Sequence, residues 1–153
     1  MQLLSKVFEN GKSIPSKYTC DGEDVSPPLE INEVGSKAES LALVCDDPDA
    51  PGQTFDHWVI WNISADIESI PEGVPTEEKV NSLEGAIQGK NDFNEIGYRG
   101  PCPPAGPEHR YRFKLYALDT ELDLSPGATK ADLEEAIDGH VIEEAGLTGK
   151  YGR

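Results

Sequence analysis

The segment Asp46-Asp47-Pro48-Asp49-Ala50-Pro51, followed shortly by His57-Trp58, constrains the fold of this chain more than any other. Upstream of it, residues 40–45 read SLALVC, a short apolar run that suits a buried strand. Downstream, residues 57–63 read HWVIWNI and suit a second. Between them, two prolines fix φ and withhold N–H donors, so the chain must leave its ladder and turn. Asp47, Asp49 and His57 are thereby expected at a strand rim.

A second segment has the same order of loop, histidine and strand. Residues 97–106 read GYRGPCPPAG, and His109-Arg110-Tyr111 then enters the alternating run at 111–118. Three prolines and three glycines in ten residues leave the loop little freedom and allow close backbone approach, as a preformed pocket wall requires. Of the three histidines in the chain, two flank these loops. Alternation should turn Arg110 away from His109 and Tyr111, toward a carboxylate partner.

The remaining punctuation extends the pattern. Apolar segments at 3–8 and 29–31 join those at 40–45, 57–63 and 111–118, separated by Pro, Gly, Asn and Asp clusters. The fold expected is mainly β, an antiparallel two-sheet β sandwich with short helices, in a single domain covering 1–153. No alternation of strands with long helices points to a parallel sheet. One helix is expected near the C-terminus, where Thr129 can cap, Asp132 stands three residues on, and Leu133, Ala136, Ile137 and Val141 follow at helical spacing. His140 would lie at its surface end. Residues 66–94 read as long connecting loops, with room for a short element near 84–88.

A chain of 153 residues can bury a real core without disulfides or metal. The three cysteines, Cys20, Cys45 and Cys102, are odd in number and share no CxxC spacing, so reduced thiols are expected. Cys45 reads as a small core hydrophobe, and Cys102, between two prolines, as structural in preference to reactive. No apolar run approaches the roughly 20 residues of a membrane-spanning helix. The first residues carry neither a basic leader nor a long apolar core, so a cytoplasmic location is expected. The net charge of −16 repels phosphate backbones and anionic headgroups at long range, which argues against nucleic-acid partners and stable membrane association.

Together these motifs resemble the phosphatidylethanolamine-binding protein family, in its short bacterial and archaeal, Raf-kinase-inhibitor-like branch. One family block stands here as Asp47-Pro48-Asp49-Ala50-Pro51 with His57-Trp58. The other stands as residues 97–104 with His109-Arg110-Tyr111. Tyr18-Thr19-Cys20-Asp21-Gly22, Ser26-Pro27-Pro28-Leu29 and the C-terminal residues 139–141 and 147–151 also look like this branch. Ile31 departs from it, since many members carry Trp there. The resemblance implies two antiparallel sheets and a cavity for small anions such as phosphate groups, formed by Asp47, His57, Gly100, Pro101, His109 and Tyr111. It also implies homodimers, and inhibition of a kinase or protease for some members.

The residue types suit such a cavity. Imidazole has an unperturbed pKa of about 6.5, so two of them can hold an anion below that pH and release it above. Asp47 would orient one ring and favour its charged form, the Tyr111 hydroxyl can donate, and a backbone N–H beside Gly100 can add a donor. The set binds but offers no obvious nucleophile, and it requires no cofactor or metal. The expected function is therefore that of a non-enzymatic protein binding a small anionic or phosphorylated ligand, with a kinase or protease as target. The competing reading is a hydrolase in which Asp47 and His57 form an acid–base pair and Cys102 or a water attacks. A zinc site through His57, His109, Asp47 and Cys102 is a third, weaker reading.

Overall fold

A computed structural model describes residues 1–153. Strands β1 (Gln2–Leu4), β2 (Leu29–Asn32) and β5 (Ser69–Ile70) form a three-stranded sheet in the order β1-β2-β5. Six others form the main sheet: β3 (Ser40–Asp47), β4 (Phe55–Ser64), β6 (Lys79–Val80), β7 (Ala86–Gln88), β8 (His109–Leu118) and β9 (Val141–Tyr151), in the order β6-β7-β4-β3-β8-β9. Every pairing between these strands is antiparallel. One α-helix, α1 (Lys130–Ile137), precedes β9, and short 3-10 helices lie at Ser16–Tyr18 and Asn81–Leu83.

The unbroken apolar run of β3 follows from its central position, since all eight of its residues are buried. Leu41, Leu43 and Cys45 face the main core, with Leu29, Ile31, Trp58, Ile60, Phe113 and Leu115. Ala42 and Val44 face the opposite side, where Val59, Trp61, Leu118, Leu122 and the helix residues Leu133 and Ile137 form a second core. The main sheet is thus covered on both faces, by the small sheet and its loops on one and by α1 on the other. Alternation continues to the end of β3, and its last two residues, Asp46 and Asp47, inherit opposite faces.

The sequence-based elements are refined at several points. The first strand ends at Leu4, with Ser5 Oγ donating to the Pro28 carbonyl as the chain turns away. The helix has the expected capping box, in which Thr129 and Asp132 each accept from the other's backbone N–H. It stops at Ile137, and Val141 opens β9 rather than extending the helical stripe. Region 66–94 contains three short strands as well as loops.

The cysteine expectation is overturned. Cys20 and Cys102, 82 residues apart, form a disulfide, and only Cys45 is free, buried in the core. Their pairing depends on the 97–106 loop lying across the 16–24 segment. Cys20 N–H donates to the Pro101 carbonyl, and Tyr98 Oη donates to the Tyr18 carbonyl.

Candidate functional site

At the ends of β3, β4 and β8 that meet these loops lies a cavity of about 160 Å³. Its polar end is built from Asp47, His57, His109 and Tyr111, and its walls from Ala50, Pro51, Phe55, Phe93, Cys102, Pro103 and Pro104. The volume suits a small group rather than an extended ligand, and apolar walls around a few convergent polar atoms are the usual composition of a binding site.

Each polar side chain has a definite mooring. Asp47, the last residue of β3, accepts from His109 Nδ1 at 2.7 Å through Oδ2 and from the Asp49 N–H at 2.8 Å through Oδ1. The second bond is the tight turn that Asp-Pro-Asp favours. Asp49 in turn receives Arg110 through Nε and Nη2 and through the backbone N–H, all at 2.8–2.9 Å. That fork holds the Asp49 carboxyl down to about 2 and ties the 47–51 turn to β8. Arg110 does point away from the buried His109 and Tyr111, as alternation requires.

His57 is anchored differently. Its Nδ1 lies 2.7 Å from the carbonyl oxygen of Arg99, and its ring meets those of Phe55, Tyr111 and Phe93 at 5.1, 5.3 and 5.7 Å between centroids. Burial lowers its pKa below the ordinary value, against smaller opposing effects of the Arg99 carbonyl and of Asp47, Asp24 and Asp92. A neutral ring at pH 7 follows, and the pH below which His57 can hold an anion as a cation moves down. Tyr111 lies between the two imidazoles, its ring 6.5 Å from that of His109. Burial, and the nearby Asp47 carboxylate, raise its pKa and keep the hydroxyl protonated as a donor.

Four of the six residues expected at the cavity therefore converge there. Gly100 and Pro101 stand behind its wall, both buried. The Gly100 N–H is already committed to Asp24 Oδ1 at 2.7 Å, and a Cβ at this position would come within 2.1 Å of the Tyr18 carbonyl oxygen. Its absent side chain is a packing requirement, not an opening toward a ligand. Asp24 also accepts from Arg99 Nε at 2.9 Å, fixing the residue whose carbonyl holds His57.

Three features escaped sequence reading. Phe93 packs edge-on against Phe55 at 4.8 Å, with the Arg99 guanidinium 4.8 Å from its ring centroid. Its only sequence signal was a lone aromatic in a polar loop. Asn91 organises that loop, its Oδ1 accepting from Phe93 and Glu95 N–H and its Nδ2 donating to the Gly97 carbonyl. The third is the disulfide, which makes Cys102 part of the wall. With Asp47 paired to His109 and Cys102 bound to Cys20, neither the Asp47–His57 dyad nor a free Cys102 thiol exists at this site.

A family model described as phosphatidylethanolamine-binding protein matches residues 4–152. The chain belongs to that family. Its relatives include a UPF0098 protein of Methanothermobacter thermautotrophicus, 54% identical over 153 residues and aligned over 100% of this chain and 99% of that one. A UPF0098 protein of Pyrococcus abyssi is 52% identical over 154 residues, covering 100% and 86%. Among solved structures, a putative family homologue from Chlamydia trachomatis superposes with a TM-score of 0.90 at 41% identity, covering 99% of this chain and 97% of the other. The YbcL protein of E. coli, described as a new member of the mammalian family, gives 0.92 at 30% identity, covering 99% and 98%. Family membership and the two-sheet fold thus agree with the resemblance read from the two loop motifs. No helix is long and apolar enough to cross a membrane.

Proposed function

We propose that the protein binds a small anionic or phosphorylated group in this cavity and does not turn it over. The observation that carries this reading is the convergence of His57, His109 and Tyr111 on one small, apolar-walled space, with the Asp47 carboxylate already occupied by His109 and the Asp49 amide. A carboxylate so engaged positions an imidazole instead of repelling an incoming anion. The rival hydrolase loses two of its parts, since the proposed base is paired with a different histidine and the proposed thiol is oxidised, and keeps only an attacking water.

Regulation or inhibition of a kinase or protease, action as a homodimer and a cytoplasmic location complete the proposal, resting on the family resemblance and the sequence. The disulfide bears on the last point, because such bonds persist mainly in oxidising compartments and in intracellular proteins of hyperthermophiles. The test of binding is an NMR titration of the imidazole C–H signals with inorganic phosphate, with His57→Ala for assignment. Saturable shifts at both His57 and His109 are expected. Unmoved signals at millimolar phosphate would reject the site.

A further inference from the structure

Resting on that reading, we infer that the cavity selects oxyanions that still carry a proton at neutral pH, such as hydrogen phosphate, over oxyanions that can only accept hydrogen bonds. His57 Nδ1 meets the carbonyl oxygen of Arg99. A carbonyl oxygen only accepts, so the 2.7 Å contact places the hydrogen of His57 on Nδ1. In the neutral ring Nε2 is then a bare lone pair. It has no hydrogen-bond partner in the protein, yet it is not among the sealed, unpartnered polar atoms, so it opens onto the cavity that His57 lines.

Charging that ring to turn the acceptor into a donor is disfavoured by its surroundings. Only 3% of His57 is exposed, and Phe55, Phe93 and Tyr111 crowd its faces and edges. The carboxylates that favour its cation are Asp47, Asp24 and Asp92, and burial outweighs them. Asp47 gives its oxygens to His109 and the Asp49 N–H, while Asp24 serves Arg99 and Gly100. Asp92 accepts from the Asp56 N–H.

Beside this acceptor stands a donor. Tyr111 Oη lies beside the Asp47 carboxylate without a bond of ordinary geometry to it, and it is likewise not sealed, so it is open to the cavity. The polar end thus offers a lone pair and a hydroxyl hydrogen side by side. A group bearing both P–OH and P–O⁻ satisfies both. Sulfate, of the same size and shape, would set an oxygen lone pair against Nε2 and leave that buried acceptor unsatisfied, which corresponds to about ten- to hundredfold in affinity. A phosphodiester, the linkage in a phospholipid headgroup, is also acceptor-only at neutral pH.

The experiment compares four probes at pH 7.5 by the same imidazole titration and by calorimetry: inorganic phosphate, phosphoethanolamine, sulfate and glycerophosphoethanolamine. Hydrogen phosphate, which keeps its P–OH at pH 7.5, is expected to bind at least tenfold more tightly than sulfate, the diester and phosphoethanolamine, whose phosphate is a dianion with no P–OH at this pH. At pH 5 the phosphate-to-sulfate ratio should be smaller, in proportion to the fraction of His57 that the same imidazole titration shows protonated, because protonation supplies an N–H. His57→Gln, which can turn an amide N–H toward the ligand, should bring the ratio toward one already at pH 7.5. Equal affinity of phosphate and sulfate for the wild type at pH 7.5, with shifts at both histidines, overturns the selection but leaves the binding site standing. Absence of phosphate-dependent shifts at either pH overturns both.

Discussion

Asp46 and Asp47 are consecutive, both buried, and end the same strand, yet they do opposite work because β3 hands one to each face of its sheet. On the helix side, Asp46 meets Arg112 Nε at 2.8 Å, Lys114 Nζ at 3.1 Å and Lys130 Nζ at 3.2 Å, and Lys130 also bridges to Asp56 at 2.8 Å. Burial alone would raise the Asp46 carboxyl, but Arg112 and Lys114 outweigh it and hold its pKa below the ordinary value. On the loop side, Asp47 has one histidine and one amide, and its surroundings open onto a cavity. A carboxylate enclosed by three cations has no capacity left for a ligand. One held by a single imidazole leaves that ring's other nitrogen free to act.

The contrast is broken most severely at Asp46. Asp46→Ala strands three cations around an apolar strand end. Breaking a fully buried pair costs about 3–5 kcal/mol; because Arg112, Lys114 and Lys130 all retain some solvent, we expect roughly 2–3 kcal/mol in denaturant unfolding. The same experiment has a pH signature. A carboxyl whose folded pKa is depressed contributes stability above its unfolded value near 4, and this is lost as pH falls through the folded value. The acid limb of the stability curve should therefore be shallower in the variant than in the wild type.

Asp47→Asn sharpens the comparison at a smaller cost. The amide oxygen can still accept from the Asp49 N–H, while His109 loses a charge-assisted bond, for about 1–2 kcal/mol. Binding of phosphate should weaken by about tenfold or more, whereas Asp46→Ala, once folded, should bind as the wild type does. Equal binding losses in the two variants would refute the division of labour. The smallest effect is at the rim: Arg110→Ala should let the Asp49 carboxyl return from about 2 toward its ordinary range in a carbon-detected NMR titration, with a small loss of stability at neutral pH that vanishes in acid.

What the sequence disclosed, and what it concealed, follows one physical division. β3, β4 and β8 were legible because central strands must be apolar on one or both faces, and the proline turns marked where they end. β9 was not, although it is the longest strand. It is an edge strand, and Glu143, Glu144, Gly146 and Gly149 interrupt any apolar alternation. The residue types at the cavity were legible from two loop motifs, but their partners were not. Asp47 lies ten residues from His57 and 62 from His109, and the nearer histidine was the wrong partner. The Cys20–Cys102 bond and the Asp46 cluster are concealed for the same reason, since each joins residues that only the folded sheet brings together.

The disulfide also changes the topology of the covalent chain. With Cys20 bound to Cys102, residues 20–102 form a closed macrocycle that contains Asp47, His57 and Phe93, while His109 and Tyr111 hang from it on the C-terminal tail. The cavity is assembled where ring meets tail. A single proteolytic cut anywhere in the loops between β2 and β7 opens the ring without dividing the molecule, and the fragments part only when the sulfurs are reduced. Such a molecule can be nicked and still keep every residue of its cavity on one covalent assembly.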